Sequence, residues 1–366
     1  MVPCMRSIKD WVLMQKDNVR RYFGIALFDR RKEVGVCLES CPVLFIRWDA
    51  KLGDSIVSSW VARELKKCNP EREVWVVTSP SMKDFYKNEF LFDRVLTIKK
   101  RPSYRALKVL CAEIGCVDYV VHFGKRLKMK DLFFLSRLKT NNIIGLDDKI
   151  KLINIKLGGE SEKLHFVEKF KLALNKMGIE HPDSSYIVPK NPSTISKLKQ
   201  KLKLRWPENK RMLCFNPFGS GSSRKMSVDL SVSLINEMLD KSDANIVLLC
   251  ADDMKSEAQK ITHMVSDVQR LYLYDEHSSL DTLLALMELS SGVISVDTAT
   301  VHIASGLNKP LLGIYNNNPG NYSEWHPNSS MASVIFSSET LVEDINLLSV
   351  ETFGKEFSSW YKKFFR

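Results

Sequence analysis

Four short segments hold the residues best placed to do chemistry. The first is Lys51-Leu-Gly53-Asp54-Ser55, directly after the apolar run Val43-Leu-Phe-Ile-Arg47, which reads as a buried strand. Gly53 allows a tight turn, and Asp54 then stands at a helix N-terminus above the sheet edge. A carboxylate there can take the proton of an attacking hydroxyl. The competing reading is a helix cap, since Asp is a favoured capping residue and the positive helix end keeps it ionised. Asp49 is a nearby rival carboxylate. The second segment, Phe218-Gly-Ser220-Gly-Ser222-Ser-Arg224-Lys225, follows another strand-like run. Its small residues let backbone N–H groups reach phosphate oxygens, while Arg224 and Lys225 add positive charge. No GK[ST] ends the loop, so it is not a Walker A motif, and a flexible turn with solvated charges is the alternative.

The third segment is Ser295-Val-Asp297-Thr298-Ala299-Thr-Val-His302. A strand ends at Val296 and a helix begins, so backbone N–H groups and the Thr298 hydroxyl can hold a diphosphate. His302 follows one helical turn after Thr298 on the same face. A capping Asp-Thr and a buried, satisfied histidine are the plainer explanation. The fourth segment is Lys125-Arg126-Leu-Lys128-Met-Lys130, just after the strand-like run ending at His122. Its cations can receive an acidic partner, or they form a solvated charge run.

These segments need a scaffold, and the pattern supplies one. Strands are expected at 43–47, 74–78, 94–98, 118–122 and 142–145, and again at 212–216, 245–249, 271–274, 292–295 and 310–315. Helical patterns lie between them, including one running from the 51–55 turn through Trp60 and Leu65. Such alternation implies βαβ units and parallel sheets, whose ligands bind at the carboxyl ends of the strands. The 366 residues suit two α/β domains, and a Pro-rich break at 181–192 followed by a lysine-rich helix at 196–203 places the boundary near 180–210. The division expected is a basic N-terminal extension at 1–40, a Rossmann-like domain at 41–190, a second at 205–335 and a helical tail at 336–366. Two basic, partly amphipathic stretches, 8–23 and 26–36, either pack on their own domain or lie on an anionic membrane surface.

Composition narrows the class. At 44% hydrophobic and 27% charged residues the chain reads as globular, and no run of eighteen apolar residues suggests a membrane span. The N-terminus lacks the pattern of a secretory signal. The eight cysteines form no CxxC pair and are expected to be reduced and buried. A net charge of +11 asks for an anionic partner; with no zinc-finger, RRM or KH pattern, nucleic acid is the weaker choice. A dehydrogenase would need GxGxxG after an early strand, and Gly53 stands there alone.

Taken together, the motifs resemble the ADP-heptose–lipopolysaccharide heptosyltransferases, glycosyltransferase family 9. The segment from Ile294 to Pro327, with VDTATVHIASGLNKPLLGIY within it, is similar to that family's donor-binding block. Residues 43–78 are similar to its N-terminal block and 119–147 and 165–179 to its middle segments. The resemblance covers roughly 42–335 and leans toward the inner-core type that adds a branch heptose. It implies the GT-B fold: an α/β protein of two Rossmann-like domains with parallel sheets facing a central cleft, acceptor domain first and donor domain second.

On this resemblance Asp54 is the general base and Arg224 or Lys225 stabilises the leaving diphosphate. The donor is held by Ser220, Ser222, Arg224, Lys225, Ser278, Asp297, Thr298, Ala299 and His302, with Ser278 near adenine. Lys51, Lys125, Arg126 and Lys128 meet the acceptor. The implied reaction inverts the anomeric carbon and needs neither metal nor cofactor. The implied partners are a nucleotide sugar, the lipopolysaccharide core and the inner membrane, with no nucleic acid. The implied setting is the cytoplasmic face of that membrane in a Gram-negative bacterium. Ala299 departs from the family's usual Gly. The alternatives are a nucleotide-sugar-binding homologue with impaired catalysis, or a member using another nucleotide sugar.

Overall fold

The computed structural model describes residues 8–30, 40–48, 51–206, 210–273 and 279–366. The chain divides into two compact units. The first comprises residues up to 50 and 58–184; the second comprises 51–57 and 185–366. The short segment after the first strand therefore belongs to the unit formed by the later half of the chain.

The first unit is built on strands β1 (Val43–Arg47), β2 (Val74–Thr78), β3 (Arg94–Thr97), β4 (Tyr119–His122), β5 (Asn142–Gly145) and β6 (Ile155–Lys156). Their order is β3-β2-β1-β4-β5-β6, and every pairing is parallel. β1 is buried along its whole length, as a central strand covered on both faces requires. The second unit repeats the plan with β7 (Met212–Asn216), β8 (Asn245–Leu248), β9 (Leu271–Leu273), β10 (Gly292–Val296), β11 (Leu311–Tyr315) and β12 (Ala332–Phe336), in the order β12-β11-β10-β7-β8-β9. This is the α/β architecture with two parallel sheets expected from the alternation, each sheet having six strands where five were expected. In each sheet the strand order reverses beside the first strand, between β1 and β4 and between β7 and β10, which leaves a crevice outside the carboxyl ends there.

Several boundaries differ from the sequence pattern. A turn through Ser55 and then one helical run through Trp60 and Leu65 were expected; the structure has two helices, Leu52–Val57 and Val61–Cys68, interrupted at Ser58–Trp60 where the chain passes from one unit to the other. The two N-terminal stretches contribute one helix, Ile8–Phe28, while 31–39 lies outside the described residues. β6 and β12 were not anticipated: β6 has two residues, and β12 has a single buried position. Cys116 is disulfide-bonded, against the expectation of reduced cysteines. Cys111 and Cys214 are buried thiols, and burial pushes both up to about 12.

The last helix, Val350–Phe365, starts at Ser349, whose hydroxyl accepts the Thr352 N–H at 3.1 Å. Its Phe353, Phe357, Trp360 and Tyr361 are buried in the core of the second unit, and Phe353 and Phe357 stack at 5.9 Å. The tail is thus structural. Phe357→Ala should lower unfolding stability by about 3–5 kcal/mol, the usual cost of emptying a fully buried aromatic site. Urea denaturation followed by circular dichroism measures this, and a loss under about 1 kcal/mol would show that the helix does not close the core.

Candidate active site

The second unit carries a cavity of about 850 Å³ at the crevice between β7 and β10. It is lined by Asn216, the Phe218–Ser222 loop, Lys225 and Thr298–Thr300, with Leu248, Met254, Leu283 and Leu286 among its apolar residues. A volume of that order, mostly apolar with a few convergent polar groups, suits a small organic ligand.

The loop after β7 is shaped rather than slack. Phe218 pairs with Lys225 in an isolated antiparallel bridge. The Gly219 N–H donates to the Arg224 carbonyl at 3.0 Å, and the Met226 N–H to Pro217 at 3.0 Å. Gly219 admits no side chain, because a Cβ would lie 2.4 Å from the Arg224 carbonyl oxygen. Gly221 has φ +96°, in the region open to glycine. Asn216 ties the loop to the helix Ala299–Gly306: its Oδ1 accepts the Phe218 N–H at 3.1 Å and its Nδ2 donates to Thr300 Oγ1 at 3.0 Å. Asn216 and Thr300 were not singled out from sequence; the available signals were the strand-end position of Asn216 and the place of Thr300 in the first turn of the helix after β10.

Arg224 is held in place. Its Nη1 donates to Asp297 Oδ2 at 3.0 Å, and its Nη2 to Ser220 Oγ at 3.1 Å. The same Asp297 oxygen accepts from Asn321 Nδ2 at 2.8 Å. Asp297 is buried, so these two donors offset its desolvation. Lys225 pairs with Glu257 at 3.0 Å and lines the cavity. Asn321 and Glu257 were missed because they lie far along the chain from the residues they hold.

The helix Ala299–Gly306 starts beside the cavity, and Thr298 precedes it without a side-chain capping bond. The capping explanation of Asp297-Thr298 is therefore not what is observed: Asp297 binds Arg224 and Asn321 instead. Thr298 and Ala299 line the cavity, as do Ser220 and Ser222. His302 is buried behind that lining, with its ring 5.9 Å from Trp325.

Against this helix packs Leu52–Val57, within the same unit. A Cβ on Gly53 would meet His302 Cδ2 at 3.1 Å and the Ala299 Cα at 3.2 Å, so glycine permits the approach. Asp54 reaches back to accept the Lys51 N–H at 3.3 Å. Lys51 Nζ in turn donates to Ser220 Oγ at 3.4 Å, the hydroxyl that also accepts from Arg224. Asp54, Lys51, Ser220, Arg224, Asp297 and His302 thus form one neighbourhood. Asp49 and Ser278 lie outside the described residues.

Lys125, Arg126 and Lys128 lie in the first unit. Lys125 and Arg126 line a cavity of about 560 Å³ of mixed charge, together with Arg21, Lys149 and Lys169 and the carboxylates Asp147, Asp148 and Glu162. Lys128 pairs with Asp17 at 2.8 Å, and Arg126 hydrogen-bonds Asn18. Part of this basic run therefore anchors the N-terminal helix.

The fold matches solved structures along nearly its whole length. A glycosyl transferase family 9 protein from Veillonella parvula superposes with TM-score 0.72 at 13% identity, over 90% of this chain and 99% of that one. E. coli ADP-heptose lps heptosyltransferase II gives 0.64 at 16%, over 88% and 99%. E. coli heptosyltransferase WaaC with ADP gives 0.64 at 15%, over 87% and 99%. These likenesses define the GT-B class of fold. A Haemophilus influenzae protein carrying the provisional name glycosyltransferase is 25% identical over 120 residues. That match covers 32% of this chain, and the chain spans about a third, 34%, of that relative's length. The model of glycosyltransferase family 9 (heptosyltransferase) matches residues 127–346, and the chain belongs to that family.

Burial holds the His302 pKa below its ordinary value of 6.5, although the charges of Asp297 and Asp54 pull it upward. The unfolded chain therefore binds a proton that the folded protein refuses. Stability should rise with pH up to about 6.5 and be lost as the pH falls below it. His302→Asn should flatten this acid-side slope. Urea midpoints measured for both proteins from about pH 5 to pH 7 test this; parallel curves would mean that His302 is not held neutral.

Proposed function

We propose that this chain transfers a heptose from ADP-heptose to the lipopolysaccharide inner core, by single displacement with inversion. The observation that carries the reading is the packing of the Asp54 segment onto the helix Ala299–Gly306, which opens at a cavity edged by Lys225 and the Arg224 loop. A base and a diphosphate cradle in one neighbourhood are what this displacement requires. The names of the E. coli neighbours, an ADP-heptose enzyme and one with ADP, agree with that donor. The branch-heptose position within the core rests on the sequence resemblance.

In the proposed reaction the acceptor hydroxyl oxygen attacks the anomeric carbon while Asp54 takes its proton. The bond from that carbon to the diphosphate oxygen breaks, and its electron pair leaves with ADP. Arg224, Lys225 and the N–H groups opening the helix Ala299–Gly306 face the developing charge, so neither metal nor cofactor is invoked. Lys51, through its contact with Ser220, adds a cation to this loop. The adenosine lies against the apolar residues of the cavity, with Asp253 among the lining residues. Lys125 and Arg126 meet acidic groups of the acceptor, which is presented at the cytoplasmic face of the inner membrane.

One observation favours a second reading. Ala299 lines the cavity, and its methyl group narrows the space where a phosphate approaches backbone. That would suit a nucleotide-sugar binder with weakened catalysis or a member using a different sugar.

Incubation with ADP- and UDP-sugars and truncated lipopolysaccharide, read by mass spectrometry, separates these. The proposal expects addition of a heptose from ADP-heptose alone. Asp54→Asn should cut turnover by about 10²–10⁴-fold with ADP affinity retained, as loss of a general base does. Arg224→Ala should cost about 10²–10³-fold. Binding of ADP-heptose without transfer would establish the second reading, and full activity in Asp54→Asn would remove the carboxylate from the mechanism.

A further inference from the structure

The helix Ile8–Phe28 has two faces with different fates. Its inner face is fully employed within the first unit. Arg21 donates to Asp147 at 2.6 Å and to the Leu127 carbonyl at 2.6 Å. Gly24 lies so close to the helix Met129–Leu135 that a Cβ would stand 2.9 Å from the Met129 Cα. Phe28 meets Phe133 at 5.3 Å, and the Asp29 carboxylate accepts the Lys151 and Leu152 N–H groups at 3.0 and 2.8 Å. The helix is therefore docked firmly, with one face fixed outward.

That outward face is largely apolar, with Gln15, Lys16 and Arg20 also exposed on it. Trp11, Val12, Val19, Tyr22, Phe23 and Leu27 are each between 46% and 72% exposed. Monomeric proteins rarely leave such a contiguous patch to water without a use. The charges beside it have one sign: Lys16 and Arg20 are exposed, whereas Asp17 pairs with Lys128 and Asp29 is buried. Among the described residues no helix is long and apolar enough to cross a membrane.

We propose that the outward face of this helix docks the protein in the plane of an anionic phospholipid surface. The apolar side chains enter the headgroup boundary while Lys16 and Arg20 meet lipid phosphates, as an amphipathic interfacial helix does. Charge favours lipid over a second copy of the chain: each copy carries net +11, and self-pairing would bring these cations together. The proposal deepens the reading that the acceptor is met at a membrane, and its test does not depend on transfer activity.

The test is co-sedimentation of the full chain with vesicles of phosphatidylglycerol and phosphatidylethanolamine, against vesicles of phosphatidylcholine alone. The anionic vesicles should bind at least about tenfold more tightly, with affinity falling as salt rises. Val19→Asp combined with Phe23→Asp should abolish binding, with the melting temperature and transfer to a detergent-dispersed acceptor unchanged. Lys16→Glu with Arg20→Glu should remove the preference for anionic lipid. Three results would overturn the proposal: equal binding to both vesicle types, unchanged binding by the aspartate variant, or a wild-type dimer that this variant dissociates. If vesicle binding holds and no sugar is transferred, only the functional reading falls.

Discussion

The candidate site of the second unit depends on how closely two short helices meet. Leu52–Val57 reaches the first turn of Ala299–Gly306 because Gly53 presents no side chain to Ala299 and His302. This contact, made within one unit, stations Asp54 and Lys51 beside the residues that follow β7 and β10. The carboxylate arrives from the early part of the chain, yet its position is set by packing against the later part. Prior alignment of reacting groups can remove a sizeable part of the barrier to a displacement.

Electrostatics sets the rest of the site. Asp297 is buried and would be costly without donors, and Arg224 and Asn321 supply them. The same bonds fix the Arg224 guanidinium against a loop that two glycines have already shaped. Lys51 and Arg224 then converge on one neutral hydroxyl, that of Ser220. Two cations sharing a single oxygen form a positive locus, the setting a diphosphate would neutralise. Because these groups are held before any ligand arrives, little reorganisation would be needed as charge develops.

Much of this was legible in the sequence. Buried parallel strands announce themselves as apolar runs, so β1, β7 and β10 and the segments after them were readable. The residues brought together by one strand end and the next, Arg224 with Asp297 and Thr298, were named from their motifs. What escaped was set by partners distant along the chain. Asn321 and Glu257 earn their roles only through the side chains they hold, and the break at Ser58–Trp60 reflects the passage between units rather than any helix-breaking residue. Lys51 was grouped with the acceptor cations on the family resemblance; in the structure its ammonium donates to Ser220 in the loop after β7. The basic run at 125–130 has a divided role, because Asp17 and Asn18 engage Lys128 and Arg126.

The contact at Gly53 can be tested directly through Gly53→Ala, measuring kcat and ADP affinity on the same protein. The added methyl group would push the helix by a few tenths of an ångström from Ala299 and His302. If that packing stations the base, kcat should fall by about tenfold or more while the dissociation constant for ADP stays within about threefold. An unchanged kcat would contradict the account, since the carboxylate's position would then owe nothing to the close approach of the two helices.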